Sequence, residues 1–394
     1  MAPPPRRIES PFQTGRRLNR DELVDREDEL RTVVDALCSA GKLFVIGPRR
    51  HGKTSLIHVA ALEAEQEGVT VLHFDAEAFA SIELLATRVI AEAARRLESS
   101  TKRAGEAIVS FFGQLRPIVS YNPTEQTYSV SLGSEPAPRP ELPLLIDALD
   151  GVEQWARRRR RRVAIVIDEV QAVLESGREA EGQFRASVQQ HERVGYVFVG
   201  SRTHYMARLT SDPNAPFFNL GSRIHVGPIP DDDFRAFLTR SFARAGFNVG
   251  GEAVEAILDL AERVPYNVQL LADACWQALR AGAPAAARSW SAPDVGRAAD
   301  AMVEKLDAFY SPLWTQLTRP QQTALLAFVL ERGAGLTSRA VLSRFRMSAS
   351  GMQRAVGGLV EKEVLFEDAA GGEVRLRLQD PFFGIWVRRY AAAP

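Results

Sequence analysis

Cysteine is nearly absent: Cys38 and Cys275 are the only two thiols in the chain. Both sit in apolar, helix-like stretches, and two distant thiols exclude a disulfide framework and suit a reducing compartment. Long apolar runs are missing as well. Nothing approaches the roughly 18 uninterrupted apolar residues that a membrane span requires. The N-terminal MAPPPRRIESPF is basic but has no apolar core, so no secretory leader is expected. Charge of one sign is lacking too. The 49 basic and 49 acidic residues cancel, which excludes a global field that draws the whole chain to nucleic acid or membrane. These absences point to a cytoplasmic protein without a membrane partner. Its 394 residues exceed what one ordinary core organises, so two or three domains are expected.

The pattern along the chain is that of an α/β protein. Residues 1–20, rich in Pro and Arg, predict a flexible arm. From Asp21 the apolar positions Leu23, Leu30, Val33, Val34 and Leu37 keep helical spacing up to Gly41. KLFVIG (42–47), VTVLHFDAE (69–77), VAIVIDE (163–169), GYVFVGS (195–201) and RIHVGPI (223–229) read as buried strands, separated by helical stretches at 53–66, 81–112 and 142–160. Such alternation means a doubly wound parallel sheet. An insertion at about 115–135, with polar–apolar alternation on both sides of NPTEQ, predicts a β-hairpin, followed by the Pro-rich connector EPAPRPELP. The core is expected over 21–229. After Pro230 the strands stop, and helices at 231–245, 251–263, 266–281 and 291–316 make an all-helical domain over 230–317. Helices at 320–332, 337–345 and 348–362, then FEDAAGGEVRLRL as two short strands, predict a winged helix-turn-helix domain over 318–394.

The chemistry concentrates after the first strand. Gly47-Pro48-Arg49-Arg50-His51-Gly52-Lys53-Thr54 satisfies G-x-x-x-x-G-K-[ST] between a strand and a helix, with Ser55 next in the helix. Glycines let backbone N–H groups turn inward around phosphate, and the helix N-terminus adds partial positive charge. Lys53 is placed to reach the β- and γ-phosphates and the Thr54 hydroxyl to ligate Mg²⁺. Asp168, at the end of VAIVID, suits the second metal-holding position, the Walker B acid of a P-loop NTPase. Glu169 could polarise an attacking water as general base, or cap the next helix. Ser201, after YVFVG, could sense the γ-phosphate or serve as a helix cap. Arg202 and Arg223, at strand edges, could neutralise developing phosphate charge or make surface ion pairs.

GPRRHGKTSL, IDEVQAV and VGSRTHYM together resemble the archaeal-type ATPases, a branch of the STAND-like P-loop ATPases related to AAA+ initiator proteins. The resemblance covers about residues 20–390. LVDREDEL resembles the family's N-terminal motif that contacts adenine, which implies that role for Val24 and Arg26. VPYNVQLL resembles the motif of the family's helical lid whose proline packs near adenine, here Pro265, although Arg263 stands where glycine is usual. DPFFGIWVRRY resembles the stretch after the family's winged helix. Together these imply ATP as ligand, and no guanine-reading Asn-Lys-x-Asp ends a strand. They also imply a switch-like ATPase, slow in isolation for want of an unambiguous arginine finger.

Two further features leave alternatives open. Arg339, Arg344, Arg346, Gln353 and Arg354 in the winged segment form a set suited to duplex DNA, yet such a segment can also be a protein-packing module. The run Arg157–Arg162 reads as a solvated helix end or as a polyphosphate patch, the former favoured. The aromatic set Phe382, Phe383, Trp386 and Tyr390 reads as core rather than as a base-stacking platform. An ATP-gated DNA regulator, and a signalling or defence ATPase that assembles with a protein partner or with copies of itself, are the alternatives to a simple ATP switch.

Overall fold

A computed structural model describes residues 10–79, 81–98, 101–112, 117–122, 127–132, 141–174, 178–213, 215, 217–281, 290–368 and 375–391. The chain divides into two compact units, Arg16–Pro228 and Ile229–Pro394, the second of which also takes the N-terminal residues up to Gly15.

The first unit is built on strands β1 (Lys42–Ile46), β2 (Thr70–Asp75), β5 (Val163–Asp168), β6 (Val194–Gly200) and β7 (Ser222–His225). They form one parallel sheet in the order β2-β5-β6-β1-β7. Because side chains alternate faces along a strand, each of β1, β2, β5 and β6 feeds two cores, whereas edge strand β7 is largely exposed. Phe44, Ile46, Leu72, Phe74, Ile165, Ile167 and Phe198 pack beneath the helices Ile82–Leu97, Thr101–Phe112, Glu141–Arg159 and Arg178–Gln190. Leu43, Val45, Val71, Val166, Val197 and Val199 pack on the opposite face under Glu27–Cys38 and Lys53–Gln66. Burial on both faces is why the four strands β1, β2, β5 and β6 read as nearly unbroken apolar runs. All six residues of β5 and all seven of β6 are buried.

The helix expected over 81–112 is two helices. Between them Glu98 adopts an extended conformation and is captured by Trp155 Nε1, at 3.0 Å, and by Arg159, at 2.9 Å. The hairpin insertion is present as β3 (Pro117–Asn122) and β4 (Thr127–Leu132), antiparallel with Pro117 opposite Leu132. Its turn at 123–126 and the connector at 133–140 lie outside the described residues. In the arginine run, Arg157 bonds Glu153 and Glu192, Arg158 lies 5.2 Å from the centre of the Phe111 ring, Arg159 pairs with Glu98, and Arg162 donates to the Glu67 carbonyl. Four of six cations thus have protein partners, which supports the helix-end reading.

The second unit carries helices Asp231–Arg244, Gly251–Leu260, Pro265–Ala281, Ala292–Lys305 and Asp307–Thr315. The span expected as one helix over 291–316 breaks at Leu306, and Asp307 Oδ1 there accepts bonds from Trp386 Nε1 and Ser311. Helices Arg319–Leu330, Arg339–Phe345 and Ala349–Glu361 follow, capped by Thr318, Ser338 and Ser348, each accepting a first-turn N–H. The antiparallel pair β8 (Leu365–Asp368) and β9 (Arg375–Leu378) completes a winged helix-turn-helix, its turn at 369–374 lying outside the described residues. Phe382, Phe383 and Trp386 are buried, with Phe383 stacked on Tyr310 at 5.3 Å, as a core reading requires; Tyr390 is 40% exposed.

The arm expected over 1–20 is not free in its described part. Phe12 is buried against Phe242 and Phe237, and the Gln13 N–H donates to Gln269 Oε1. One aromatic side chain is enough to anchor a polar segment, because burying it recovers more than the local chain entropy that it removes. Among the described residues no helix is long and apolar enough to cross a membrane.

Candidate nucleotide site

The loop after β1 is shaped by two glycines for different reasons. A Cβ on Gly47 would lie 2.4 Å from the Val226 carbonyl oxygen, so only glycine fits beside β7. Gly52 has φ +86°, in the left-handed region, and Arg50 has φ +67°. Helix Lys53–Gln66 begins at Gly52 without a side-chain cap, which leaves its first N–H groups for an anion. Lys53 is buried, and its Nζ donates to the carbonyls of Gly47 at 2.8 Å and Pro48 at 2.9 Å. Burial holds its ammonium below the usual lysine range, against the pull of Glu169 and Asp168. His51 Nδ1 lies 3.0 Å from the Arg49 carbonyl, and Ser55 Oγ accepts the Leu18 N–H at 3.3 Å.

The acids stand across β6 from this loop, because β6 lies between β1 and β5. Asp168 ends β5 and is buried; its Oδ2 accepts from Thr54 Oγ1 at 3.0 Å and its Oδ1 from the Glu169 N–H at 3.1 Å. Burial, then the charge of Glu169, holds the Asp168 carboxyl above the usual aspartate range, while Thr54 and Lys53 act the other way. Glu169 has φ +49°, an uncommon backbone for a non-glycine residue. Its Oε2 accepts from Ser201 Oγ at 2.7 Å, the Ser201 N–H at 3.1 Å and Gln171 Nε2 at 2.5 Å. Ser201 Oγ also lies 3.5 Å from Arg49 Nε, and the Arg49 guanidinium reaches Glu77 at 3.1 Å. A chain of polar contacts therefore runs Glu77–Arg49–Ser201–Glu169–Gln171, and the Asp168 carboxylate joins it, from the Glu169 N–H, to Thr54.

Lys53, Thr54, Asp168, Glu169 and Ser201 are thus brought together. Arg223 is not: on edge strand β7 it donates to the Thr210 carbonyl and to Ser211 Oγ. Arg202 precedes helix Thr203–Ser211. Arg26 is buried, bonded to Glu29 at 3.1 Å and to the Gly227 carbonyl, with Val24 half-buried nearby in sequence. In the second unit, Pro265 opens its helix just after Arg263, whose φ is +56° and whose guanidinium bonds Asp231 and Asp259. The arginine in place of glycine therefore clips two helices together while keeping the left-handed backbone. Arg339, Arg346 and Gln353 are exposed and have no side-chain partner among the described residues. Arg344 pairs with Glu331 at 2.6 Å, and Arg354 Nε donates to the carbonyl of Ser350 at 3.3 Å. Gln171 and Glu77 were not legible as site residues. The only signal for Gln171 was its place two residues after Glu169.

This arrangement can hold polyphosphate and a small hard cation. Among the described residues no three His, Cys, Asp or Glu side chains are grouped to hold a metal. Thr54 Oγ1 and one carboxylate are instead the hard, incomplete oxygen set that suits Mg²⁺ completed by phosphates and water.

The chain is similar in fold to three archaeal proteins. A Walker-type ATPase of Pyrococcus abyssi matches with TM-score 0.60 at 16% identity, over 96% of this chain and 99% of that one. The ORC1 protein of Aeropyrum pernix, solved in complex with DNA, matches with TM-score 0.51 at 15% identity, over 94% of each. The ORC2 protein of the same organism, in ADPNP–ADP complexes, matches with TM-score 0.53 at 14% identity, over 97% and 98%. No curated protein matches the sequence. The model of the family described as novel STAND NTPase 1 matches residues 17–377. With the phosphate loop, the acid pair and the five-stranded parallel sheet in place, the chain belongs to that family of STAND NTPases.

Proposed function

We propose that the protein binds ATP with Mg²⁺, hydrolyses it slowly, and uses nucleotide state to set the arrangement of its helical and winged segments. The observation that carries this reading is the meeting of loop and acids: Thr54 bonds Asp168, and Ser201 bonds Glu169. Mg²⁺ would be held by Thr54 Oγ1 and the Asp168 carboxylate, and when bound would neutralise phosphate charge. Lys53 exchanges its two loop carbonyls for phosphate oxygens. Glu169 takes the proton of the attacking water. Slow turnover follows from the arginines: Arg49 is tied to Glu77, and Arg223 to Thr210 and Ser211, so each must leave a partner before it can serve developing charge. ATP turnover and bound-nucleotide analysis test the reading. Lys53→Ala should lose binding, and Glu169→Gln should bind ATP without turning it over. Absence of nucleotide binding in the wild type, with Mg²⁺ present, refutes the proposal.

A second reading, of an ATP-gated DNA-binding factor, is favoured by the exposed Arg339, Arg346 and Gln353 on the winged segment, which have no side-chain partner among the described residues. The fold likeness to an ORC1 protein solved in complex with DNA is compatible with it. Duplex-DNA binding that disappears in the Arg339→Ala/Arg346→Ala/Gln353→Ala variant, with ATP affinity kept, supports this reading. No DNA binding by the wild type at low salt removes it.

A further inference from the structure

Gln171 follows the acid pair in Asp168-Glu169-Val170-Gln171 and is only 1% exposed. Its two polar ends are treated unequally. Nε2 donates to Glu169 Oε2 at 2.5 Å and lies 3.5 Å from Ser201 Oγ. Oε1 is buried and has no hydrogen-bond partner among the described residues. A buried acceptor that has given up water without a replacement is disfavoured, and natural proteins hold few of them.

The amide cannot relieve this by turning over. An ionised carboxylate only accepts hydrogen bonds, and a reversed amide would set two acceptors 2.5 Å apart. Oε1 is therefore left beside Gly200, where an added Cβ would come within 3.1 Å of it. The orphaned oxygen is the consequence of placing an N–H on Glu169.

On Glu169 the asymmetry is reversed. Oε2 receives three donors, from the Ser201 N–H, Ser201 Oγ and Gln171 Nε2, whereas Oε1 receives none among the described residues. We propose that Gln171 is a positioning residue for hydrolysis. With Ser201 it pins Oε2, and so presents Glu169 Oε1 as the single oxygen able to take the proton of water. This inference rests on the reading of Glu169 as general base. In the step it serves, the water oxygen bonds to the γ-phosphorus as the bond from that phosphorus to the bridging oxygen breaks. ADP leaves with the electron pair, and the water proton goes to Glu169 Oε1. Ser201 Oγ joins the same anchor to Arg49 of the phosphate loop, so loop and base are held by one set of contacts.

The test separates positioning from scaffolding. Gln171→Met keeps length and volume while removing both the donor and the orphaned acceptor. Its melting temperature should equal or exceed that of the wild type and its affinity for ATP should stay within about twofold, while single-turnover hydrolysis falls about tenfold or more, within the range that a mispositioned general base forfeits. Gln171→His, which restores an N–H donor, should recover part of that loss. In protein labelled with ¹⁵N-glutamine, one side-chain amide proton should lie well downfield, disappear in Gln171→Met and move in Ser201→Ala. Wild-type turnover in Gln171→Met while Glu169→Gln is inactive overturns the inference and leaves the base assignment standing. Loss of ATP binding in Gln171→Met, or a melting temperature that falls with the rate, also overturns it in favour of a scaffolding role. If Glu169→Gln turns over ATP like the wild type, the base reading falls and this inference with it.

Discussion

Replacing Gly47 by alanine should disable nucleotide binding, and the size of the effect can be worked from one contact. The new Cβ would sit 2.4 Å from the Val226 carbonyl oxygen, about 1 Å inside an ordinary van der Waals approach. Val226 cannot simply turn away, because its N–H donates to the Ile46 carbonyl at 2.8 Å and extends the β1–β7 pairing. Gly47 is held too, its N–H bonding the Gly200 carbonyl at 3.3 Å. Relief therefore moves the start of the loop by a large part of an ångström. Overpacking of this kind costs about 1–3 kcal/mol of stability, and a misplacement of about 1 Å in a binding constellation can cost on the order of 100-fold. Gly227 is the internal control: one residue beyond Val226, it would meet nothing within 4 Å on gaining a Cβ, and its φ is not positive. The assay is Mg²⁺-dependent binding of a fluorescent ATP analogue, followed by anisotropy, with melting curves on the same samples. Gly47→Ala should bind at least about 30-fold more weakly, roughly 2 kcal/mol, and Gly227→Ala should bind as the wild type does. Equal affinities for the two variants would refute the close-approach argument.

Other outcomes follow from the same structure. Phe12→Ala should destabilise the second unit by about 3–5 kcal/mol, read as a lower melting temperature and faster proteolysis, since Phe12 is buried between Phe237 and Phe242. Burial, aided by Arg17 and His58, pushes His73 down to about 4, so the unfolded chain takes up a proton there before the folded one does. Stability from His73 is thus complete above about pH 6.5 and is lost as pH falls towards 4, by up to about 3 kcal/mol; His73→Gln should flatten urea midpoints across that window, and an unchanged acid slope would contradict the assignment. If the winged segment binds duplex DNA, each phosphate-contacting arginine removed should lower the salt slope of binding by about 1, which Arg339→Ala and Arg346→Ala measure separately.

Local pattern carried much of the site. Gly47 to Thr54 was legible because strand, glycine turn and helix follow one another in the chain, and a phosphate loop needs only that local order. Asp168 was legible because a carboxylate at the end of five apolar residues is too costly to bury without a task. Helix ends were less so: the spans at 81–112 and 291–316 break where Glu98 and Asp307 meet distant tryptophans, Trp155 and Trp386. No periodicity encodes such capture.

What the amino-acid order determined by itself was therefore the class of fold, the phosphate-loop motif and the candidate acid pair, all of which depend on neighbours in sequence. The tertiary structure decided which groups face those acids. By inserting β6 between β1 and β5 it set Ser201 against Glu169 and Gln171, and the packing around the sheet tied Arg49 to Glu77 and Arg223 to Thr210. It also showed that Phe12 is anchored and that Arg263 keeps a glycine-like backbone while clipping two helices. The physical reason is that most of these hydrogen bonds and burials join residues tens to hundreds of positions apart, and the tertiary packing that fixes those meetings is not written in the spacing of any one segment.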